Sequence, residues 1–229
     1  MKVAVVIPCR NEARTIAEIV HEAAKYVDEV TVADDNSEDE TVALARAANA
    51  KVICNSSSRR GAGANTKRGM KVVDADVVVT LDGDGQHLAS EIPRVLAPIL
   101  NGTADLVIGS RFVRSYKIAR YRKFGIDVIT WLYNVGRKTK ISDSQSCFRA
   151  YTRELLESIN IEERGFGFST EVLIKARAKS FRIVEVPITC VYHEEFAQNS
   201  SLNPVVHGLG VAWVTIKWRI KEELLFTNN

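Results

Sequence analysis

The sequence predicts an α/β protein built on a mostly parallel sheet with helices on both faces. Three observations carry that prediction. Short runs of β-branched residues recur through the first half of the 229-residue chain. Stretches with helical periodicity separate them, so strands and helices alternate. Polar clusters then fall where the strands end, the edge at which sheets of this kind bind ligands.

Taken in order, Lys2–Ile7 is a strand, and Pro8 reads as its end. Ile16, Ile19, Val20, Ala23 and Val27 recur at helical spacing, which makes Ala13–Tyr26 a helix that Asn11 is placed to cap. Glu29–Ala33 is a second strand ending in Asp34-Asp35, after which Ser37 and Glu40 form a capping-box pattern for a helix through Ala48. Lys51–Cys54 is a third strand, Ala62–Val73 a helix of small and basic residues, 76–81 a buried strand, Ser90–Leu100 a helix and Asp105–Ile108 a strand. The second half is less regular. It holds a helix over Ile118–Val135, a loop and short strand over Asp143–Tyr151, short helices at Glu154–Ser158 and Thr170–Ala178, and a strand at Ile183–Ile188. Asn203-Pro204 is an N-cap and N1 pair opening a last helix to Phe226.

Composition narrows the class. A net charge of +3 gives no whole-protein case for a nucleic-acid partner. Cys9, Cys54, Cys147 and Cys190 form no CxxC pair, which argues against spacing-defined zinc or a disulfide framework and fits a reducing compartment. The N-terminus runs straight into a strand, with no leader pattern. No apolar run reaches the roughly 18 residues that span a bilayer. The expected location is therefore cytoplasmic.

Chemistry concentrates at strand ends. Asp82-Gly83-Asp84-Gly85-Gln86 leaves the 76–81 strand with two carboxylates, an amide and glycines that permit a sharp turn and close ligand approach. Hard oxygen ligands at this spacing suit Mg2+ or Mn2+ bridged to phosphates, and an acidic turn is the structural alternative. Pro8-Cys9-Arg10-Asn11-Glu12 is either a capping loop or one wall of a nucleotide pocket. Adjacent carboxylates at Asp34-Asp35 repel unless solvated or bound, and a carboxylate there is placed to accept from a base or ribose. The stretch Arg59–Gly69 fails both the Walker pattern and GxGxxG, and reads as a basic loop feeding a helix packed close to the sheet. His193-Glu194-Glu195-Phe196-Ala197 lacks the second histidine of a zinc-protease helix.

Together these stretches resemble family 2 glycosyltransferases of the GT-A fold, and more narrowly the dolichyl-phosphate mannose (or glucose) synthase-like enzymes. The resemblance rests on Val6–Glu12, Ala33–Thr41, Leu81–His87, Gly109–Phe112, Asp143 with Ser146–Tyr151, and Glu185–Ile188. It implies a GT-A, Rossmann-like nucleotide-sugar-binding sheet in a single domain, 1–229. Residues 1–112 would hold the donor, 113–203 the acceptor, and 204–229 a C-terminal amphipathic helix. Pro8, Asn11, Glu12, Asp34, Asp35 and Asp82 would bind the nucleotide-sugar, a GDP- or UDP-sugar. Asp84 and Gln86 would ligate Mg2+ or Mn2+ at the diphosphate. Asp84, Arg111, Asp143 and Arg149 would form the catalytic set, the arginines holding phosphates and Asp143 lying near the transferred sugar or the acceptor.

The implied reaction is inverting transfer of a hexose or N-acetylhexosamine to a polyprenyl (dolichyl-type) phosphate. A phosphate acceptor is already anionic and needs positioning more than a base, whereas a saccharide or glycolipid hydroxyl would need a base, with Asp143 the first candidate. An Asp-x-Asp phosphohydrolase and a non-catalytic nucleotide-sugar-binding module remain as other readings. Cys147 stands where many relatives have glycine, and Ser200–Pro204 lacks a lysine that many carry there. The last helix places Val206, Leu209, Trp213, Ile216, Ile220 and Leu224 on one stripe, widened by Val211, Val214, Trp218 and Leu225. It either packs on the domain or lies at the cytoplasmic face of a membrane as a peripheral contact. The basic stretch Arg114, Lys117, Arg120, Arg122 and Lys123 would sit beside the acceptor.

Overall fold

The computed structural model describes residues 1–55, 61–113, 120–191 and 204–226, with backbone alone at 120–122, 204–207 and 223–226. Arg59, Arg60, Arg114, Lys117, His193, Glu194 and Ser200–Asn203 therefore lie outside the described residues, as do the side chains of Arg120, Arg122, Val206, Leu224 and Leu225. Among the described residues, strands β1 (Val3–Cys9), β2 (Glu29–Asp34), β3 (Lys51–Cys54), β4 (Val77–Thr80), β5 (Leu106–Ser110), β6 (Arg149–Thr152) and β7 (Ile183–Pro187) form one sheet in the order β3-β2-β1-β4-β6-β5-β7. All neighbours pair in parallel except β6, which runs antiparallel between β4 and β5. The helices are α1 (Ile16–Ala23), α2 (Thr41–Ala47), α3 (Ala62–Val72), α4 (Ile92–Leu100), α5 (Arg120–Asn134), α6 (Arg153–Ser158), α7 (Phe168–Ala178) and α8 (Pro204–Phe226).

The period of two in β1 sorts its side chains between two cores. Val3, Val5 and Ile7 join Ile16, Val20 and Ile92 on one face of the sheet. Ala4 and Val6 join Tyr133, Phe168, Leu173 and Trp218 on the other. The mostly parallel α/β prediction holds, and three local readings change. Pro8 does not end β1, which pairs with β2 through Cys9. The register of β1 with β4 stops at Val6, so the missing N–H of Pro8 falls where no ladder continues on that side. The Ser37 capping box does not form, because the Ser37 amide and hydroxyl donate to Asp34 at 3.1 and 2.5 Å. Asp39 instead accepts from the Thr41 amide at 3.0 Å, where α2 begins. The last helix does not carry one widened stripe. Val211 and Trp218 are buried, while Leu209, Trp213, Ile216 and Ile220 face outward.

Helix α3 lies close to the sheet because Gly69 has no Cβ; one added there would overlap Val6 Cγ1. Intrinsic propensity alone would make Gly69→Ala stabilising by about 1 kcal/mol. Overpacking against a strand in the sheet interior costs about 1–3 kcal/mol. The substitution is therefore expected to lower the urea midpoint with the m-value unchanged. A raised midpoint would show that the helix can lift away without cost.

Candidate functional site

The carboxyl ends of β1, β2 and β4 open on one cleft of about 410 Å³. After β1, Asn11 adopts a left-handed backbone (φ 57°). Its amide donates to Ser37 Oγ at 2.9 Å and its Oδ1 accepts from the Glu38 amide at 2.8 Å. Asn11 thus ties the turn after β1 to the turn after β2, in place of the helix cap expected of it. The Glu12 amide donates to Thr41 Oγ1 at 2.8 Å, and the residue lines the cleft. After β4, Gly85 takes φ 75°, a left-handed conformation that favours glycine. The chain folds back there so that Asp84 Oδ1 accepts from the Gln86 amide at 3.0 Å. Thr15 Oγ1 donates to the Gly83 carbonyl at 2.6 Å and fixes this turn against the start of α1.

Pro8, Glu12, Asp35, Asp82, Asp84 and Gln86, named from the sequence, all line the cleft. Asp35 accepts from Asn55 Nδ2 at 2.7 Å and from the Gly61 amide at 3.1 Å, so the turn after β3 and the start of α3 orient it. Asp34 is buried and accepts within its own turn, which makes it a support for Asp35 and removes it from the expected ligand contacts.

Negative charge is crowded in this cleft. Burial, reinforced by Asp84 and Asp82, pushes the Glu12 carboxyl up to about 7. Burial and Asp84 also raise Asp82, against the lowering influence of Arg111. Three mutually repelling carboxylates favour occupation by a cation, and their hard oxygens suit Mg2+ or Mn2+. Among the described residues, no three carboxylate, histidine or cysteine side chains converge as a closed metal cage. An ion at this turn would have one or two protein ligands, its shell completed by substrate phosphates. Because the ion competes with protons on raised carboxylates, the Mn2+ concentration that half-saturates the thermal shift is expected to rise as pH falls from 8 through about 7. A midpoint independent of pH over that range would remove Glu12 and Asp82 from the ion's surroundings.

A second cluster lies where β5 ends. Arg111 grips Asp143 with Nε to Oδ2 at 2.7 Å and Nη2 to Oδ1 at 2.8 Å. The amides of Arg111, Gln145 and Ser146 add donors to the same carboxylate at 3.2, 3.2 and 3.1 Å. Burial would raise Asp143, but the Arg111 guanidinium and these donors hold it below the ordinary carboxylate range. Glu185 on β7 shapes the loop from beneath, accepting from the Ser142 and Asp143 amides at 2.7 and 2.9 Å. Its place in the sequence resemblance carried no hint of this supporting role.

Arg149 departs most from its expected part. It is fully buried, with Nη1 donating to the Ser169 carbonyl at 2.7 Å and Nη2 to the Ser144 carbonyl at 2.8 Å. It ties the Asp143 loop to the start of α7, and direct phosphate contact is not part of this arrangement. Its charge still reaches Asp82, whose carboxyl it lowers.

Sequence reasoning missed the wall opposite the carboxylates. Gly165, Phe166, Phe168 and Ser169 close the cleft there. The loop is held by buried Glu171, which accepts from the Glu162 and Glu163 amides at 2.8 and 2.7 Å. Glu171 stands directly before the apolar run Val172-Leu173-Ile174, and that was the available signal. His87 is also buried, and burial followed by Arg111 pushes it down to about 3, so it is neutral beside Asp82. Cys147, the departure from glycine, lines the cleft, and burial reinforced by Asp82 pushes its thiol up to about 12.

The family model described as Glycosyl transferase family 2 matches residues 4–159. Dolichol-phosphate mannosyltransferase of Pyrococcus furiosus is 32% identical over 201 residues, which is 82% of this chain and 56% of that protein. UDP-N-acetylglucosamine–dolichyl-phosphate N-acetylglucosaminyltransferase of Methanococcus voltae is 29% identical over 217 residues, covering 82% of this chain and 85% of that one. The fold is shared with glucosyl-3-phosphoglycerate synthase of Mycobacterium tuberculosis in complex with Mn2+, UDP-glucose and phosphoglyceric acid. That superposition has a TM-score of 0.75 at 20% identity, over 96% of this chain and 79% of that one.

Proposed function

This chain belongs to glycosyl transferase family 2, and on that premise we propose that it transfers a hexose or N-acetylhexosamine from a GDP- or UDP-sugar to a polyprenyl (dolichyl-type) phosphate. The observation that carries the acceptor's identity is the state of Asp143. Five N–H donors saturate its carboxylate, and it is held below the ordinary range. A carboxylate so held is a poor general base, because the best catalytic pKa lies near the working pH. A phosphate acceptor needs no such base, whereas a hydroxyl acceptor would have to draw on Glu12 or Asp82, the raised carboxylates that this reading places at the donor. The names of the two dolichyl-phosphate relatives support the same acceptor.

In this reading residues 1–112 hold the donor and 113–203 the acceptor within one domain. Asp35 and Glu12 face the base and ribose, Pro8 lines the nucleotide, and Asp82 orients the sugar. Asp84 and Gln86 hold a divalent ion, Mg2+ or Mn2+, which supplies Lewis-acid stabilisation of the leaving diphosphate. The Mn2+ and UDP-glucose in the named complex of the structural relative support that choice of ligands. Arg111, oriented by Asp143, presents its guanidinium edge to the acceptor phosphate, and arginine's fixed fork suits that anion. Arg149 sets the loop that carries Asp143. The phosphate acceptor attacks as an anion with inversion, so the chain has to align it and shield its charge, and has no proton to remove.

Incubation with labelled nucleotide-sugar, Mn2+ and polyprenyl phosphate should yield a labelled product that partitions into organic solvent. Label recovered only in a water-soluble saccharide would favour the hydroxyl reading. Among the described residues no helix is long and apolar enough to cross a bilayer; the membrane contact proposed for this chain is a peripheral one.

A further inference from the structure

Two helices leave apolar side chains in solvent, and their positions correspond. On α5, Phe124, Val128, Trp131 and Val135 (the last just past its end) are 70%, 37%, 64% and 44% exposed. On α8, Leu209, Trp213, Ile216 and Ile220 are 68%, 67%, 37% and 52% exposed. Both sets follow the spacing i, i+4, i+7, i+11, one face of an α-helix about 17 Å long. Each α8 residue lies a constant 85 positions after its α5 counterpart, the same separation as the Arg137–Glu222 ion pair that joins the two helices. Arg219 on α8 also donates to the Leu132, Tyr133 and Val135 carbonyls at 3.0, 2.9 and 2.8 Å, closing the helices together at the C-terminal end of α5. Helices α5 and α8 pack on one another, and the contacts near their C-terminal ends keep nearly the same sequence offset, as expected of two helices that run in the same direction and set their exposed stripes beside each other as one apolar plate.

The inner faces of both helices are already occupied. Ile129 and Tyr133 of α5 are buried, as are Val211, Thr215 and Trp218 of α8. The outer stripes thus add nothing to the domain core, and a contiguous apolar face of this kind marks an interaction surface. Charge indicates the partner. Residues 123–140 and 208–222 carry seven lysines and arginines against two acidic residues, Asp127 and Glu222. Both acids are paired within the protein, to Lys123 and Arg137. Lys138 and Lys140 stand exposed just past the C-terminal end of α5, whereas Lys217 and Lys221 pair with Glu163 and Glu162. Two tryptophans in an apolar face with a basic border match the chemistry of an anionic lipid surface, where the rings settle at headgroup depth.

We propose that the α5–α8 plate is the surface by which this protein lies on an anionic bilayer, seated by both helices together and not by α8 alone. The partner's identity rests on the lipid-acceptor reading above. The in-register geometry of the plate does not.

The test is flotation with vesicles of phosphatidylcholine containing about one third phosphatidylglycerol. Wild-type protein should float with them, and more weakly with phosphatidylcholine alone. Trp131→Glu on α5 and Trp213→Glu on α8 should each reduce the partition coefficient about tenfold or more. Leu100→Glu, exposed at the end of α4 outside the plate, should not. Thermal melts with nucleotide and Mn2+ check that each variant keeps its fold and donor site. The proposal fails if wild-type protein does not float, if Leu100→Glu matters equally, or if only the α8 variant matters. It also fails if the lipid-free protein sediments as a dimer that Trp131→Glu dissolves, which would make a second copy the occupant. Transfer assays separate this from the acceptor reading. Trp131→Glu should lose transfer to long-chain polyprenyl phosphate in vesicles and keep it with a short, water-soluble one. Lipid binding by wild-type protein with no transfer to either phosphate would support the plate and overturn the acceptor.

Discussion

Asp84→Ala is expected to reduce sugar transfer about a thousandfold or more while the protein stays folded. Loss of a supporting contact behind a metal ligand already costs about 10–100-fold, and loss of a direct ligand removes the stabilisation of the leaving diphosphate as well. The fold should tolerate the change. Asp84 lines an open cleft, and it contributes repulsion to both Glu12 and Asp82. Removing it lowers the cost of ionising those two groups, so in chelator at pH 8 the variant should melt no lower than the parent protein. Mn2+ should then shift its melting temperature far less than it shifts that of the parent. Full transfer by Asp84→Ala in excess chelator would sink the metal assignment. Lost activity accompanied by a large fall in melting temperature would show that the residue supports structure instead.

Much of this site was legible because strand ends announce themselves. The valine-rich run before Asp82 is uniformly buried, and the break to Asp-Gly-Asp-Gly-Gln marks the sheet edge where polar groups gather. Side-chain direction was not legible. Asp34 and Asp35 look alike in sequence, yet Asp34 accepts within its own turn and Asp35 reaches the cleft. Alternation along the end of β2 separates them, and that depends on where the strand stops. The burial of Arg149 was not legible for a related reason. Arg149 lies on β6, and an antiparallel strand inserted between β4 and β5 buries a residue that a strand-by-strand reading leaves at the surface. Nor did the composition of the 118–135 helix distinguish an apolar stripe facing the core from one facing solvent. Both have the same period, and only packing decides which is which.

Asp143→Asn separates two roles that the sequence left equally open. As a general base, Asp143 would leave its own titration in the rate profile, and its amide variant would lose the acidic limb. As an anchor, it should instead affect stability and the placement of Arg111. The geometry favours the anchor: the amide nitrogen of asparagine would meet N–H donors where the carboxylate now accepts them. Breaking a buried ion pair from one side costs about 3–5 kcal/mol, because the remaining charge is left without its counter-ion. The stability difference has a definite sign with pH. Asp143 is lowered in the folded protein, so its contribution is fully present above the ordinary carboxylate range and disappears as pH falls below it. Urea midpoints of parent and variant should therefore converge in acid and differ most near neutrality. Transfer should fall about a hundredfold or more, with the acidic limb of kcat at the pH of the parent enzyme. The double variant Arg111→Met with Asp143→Leu gives the last separation. Replacing both charges removes the unpaired ion and should recover the part of the lost stability that comes from it, while the Arg111, Gln145 and Ser146 amides still lose their acceptor. It should not recover transfer, because the guanidinium proposed to meet the acceptor phosphate is gone. Recovery of both together would mean that this pair serves only the fold.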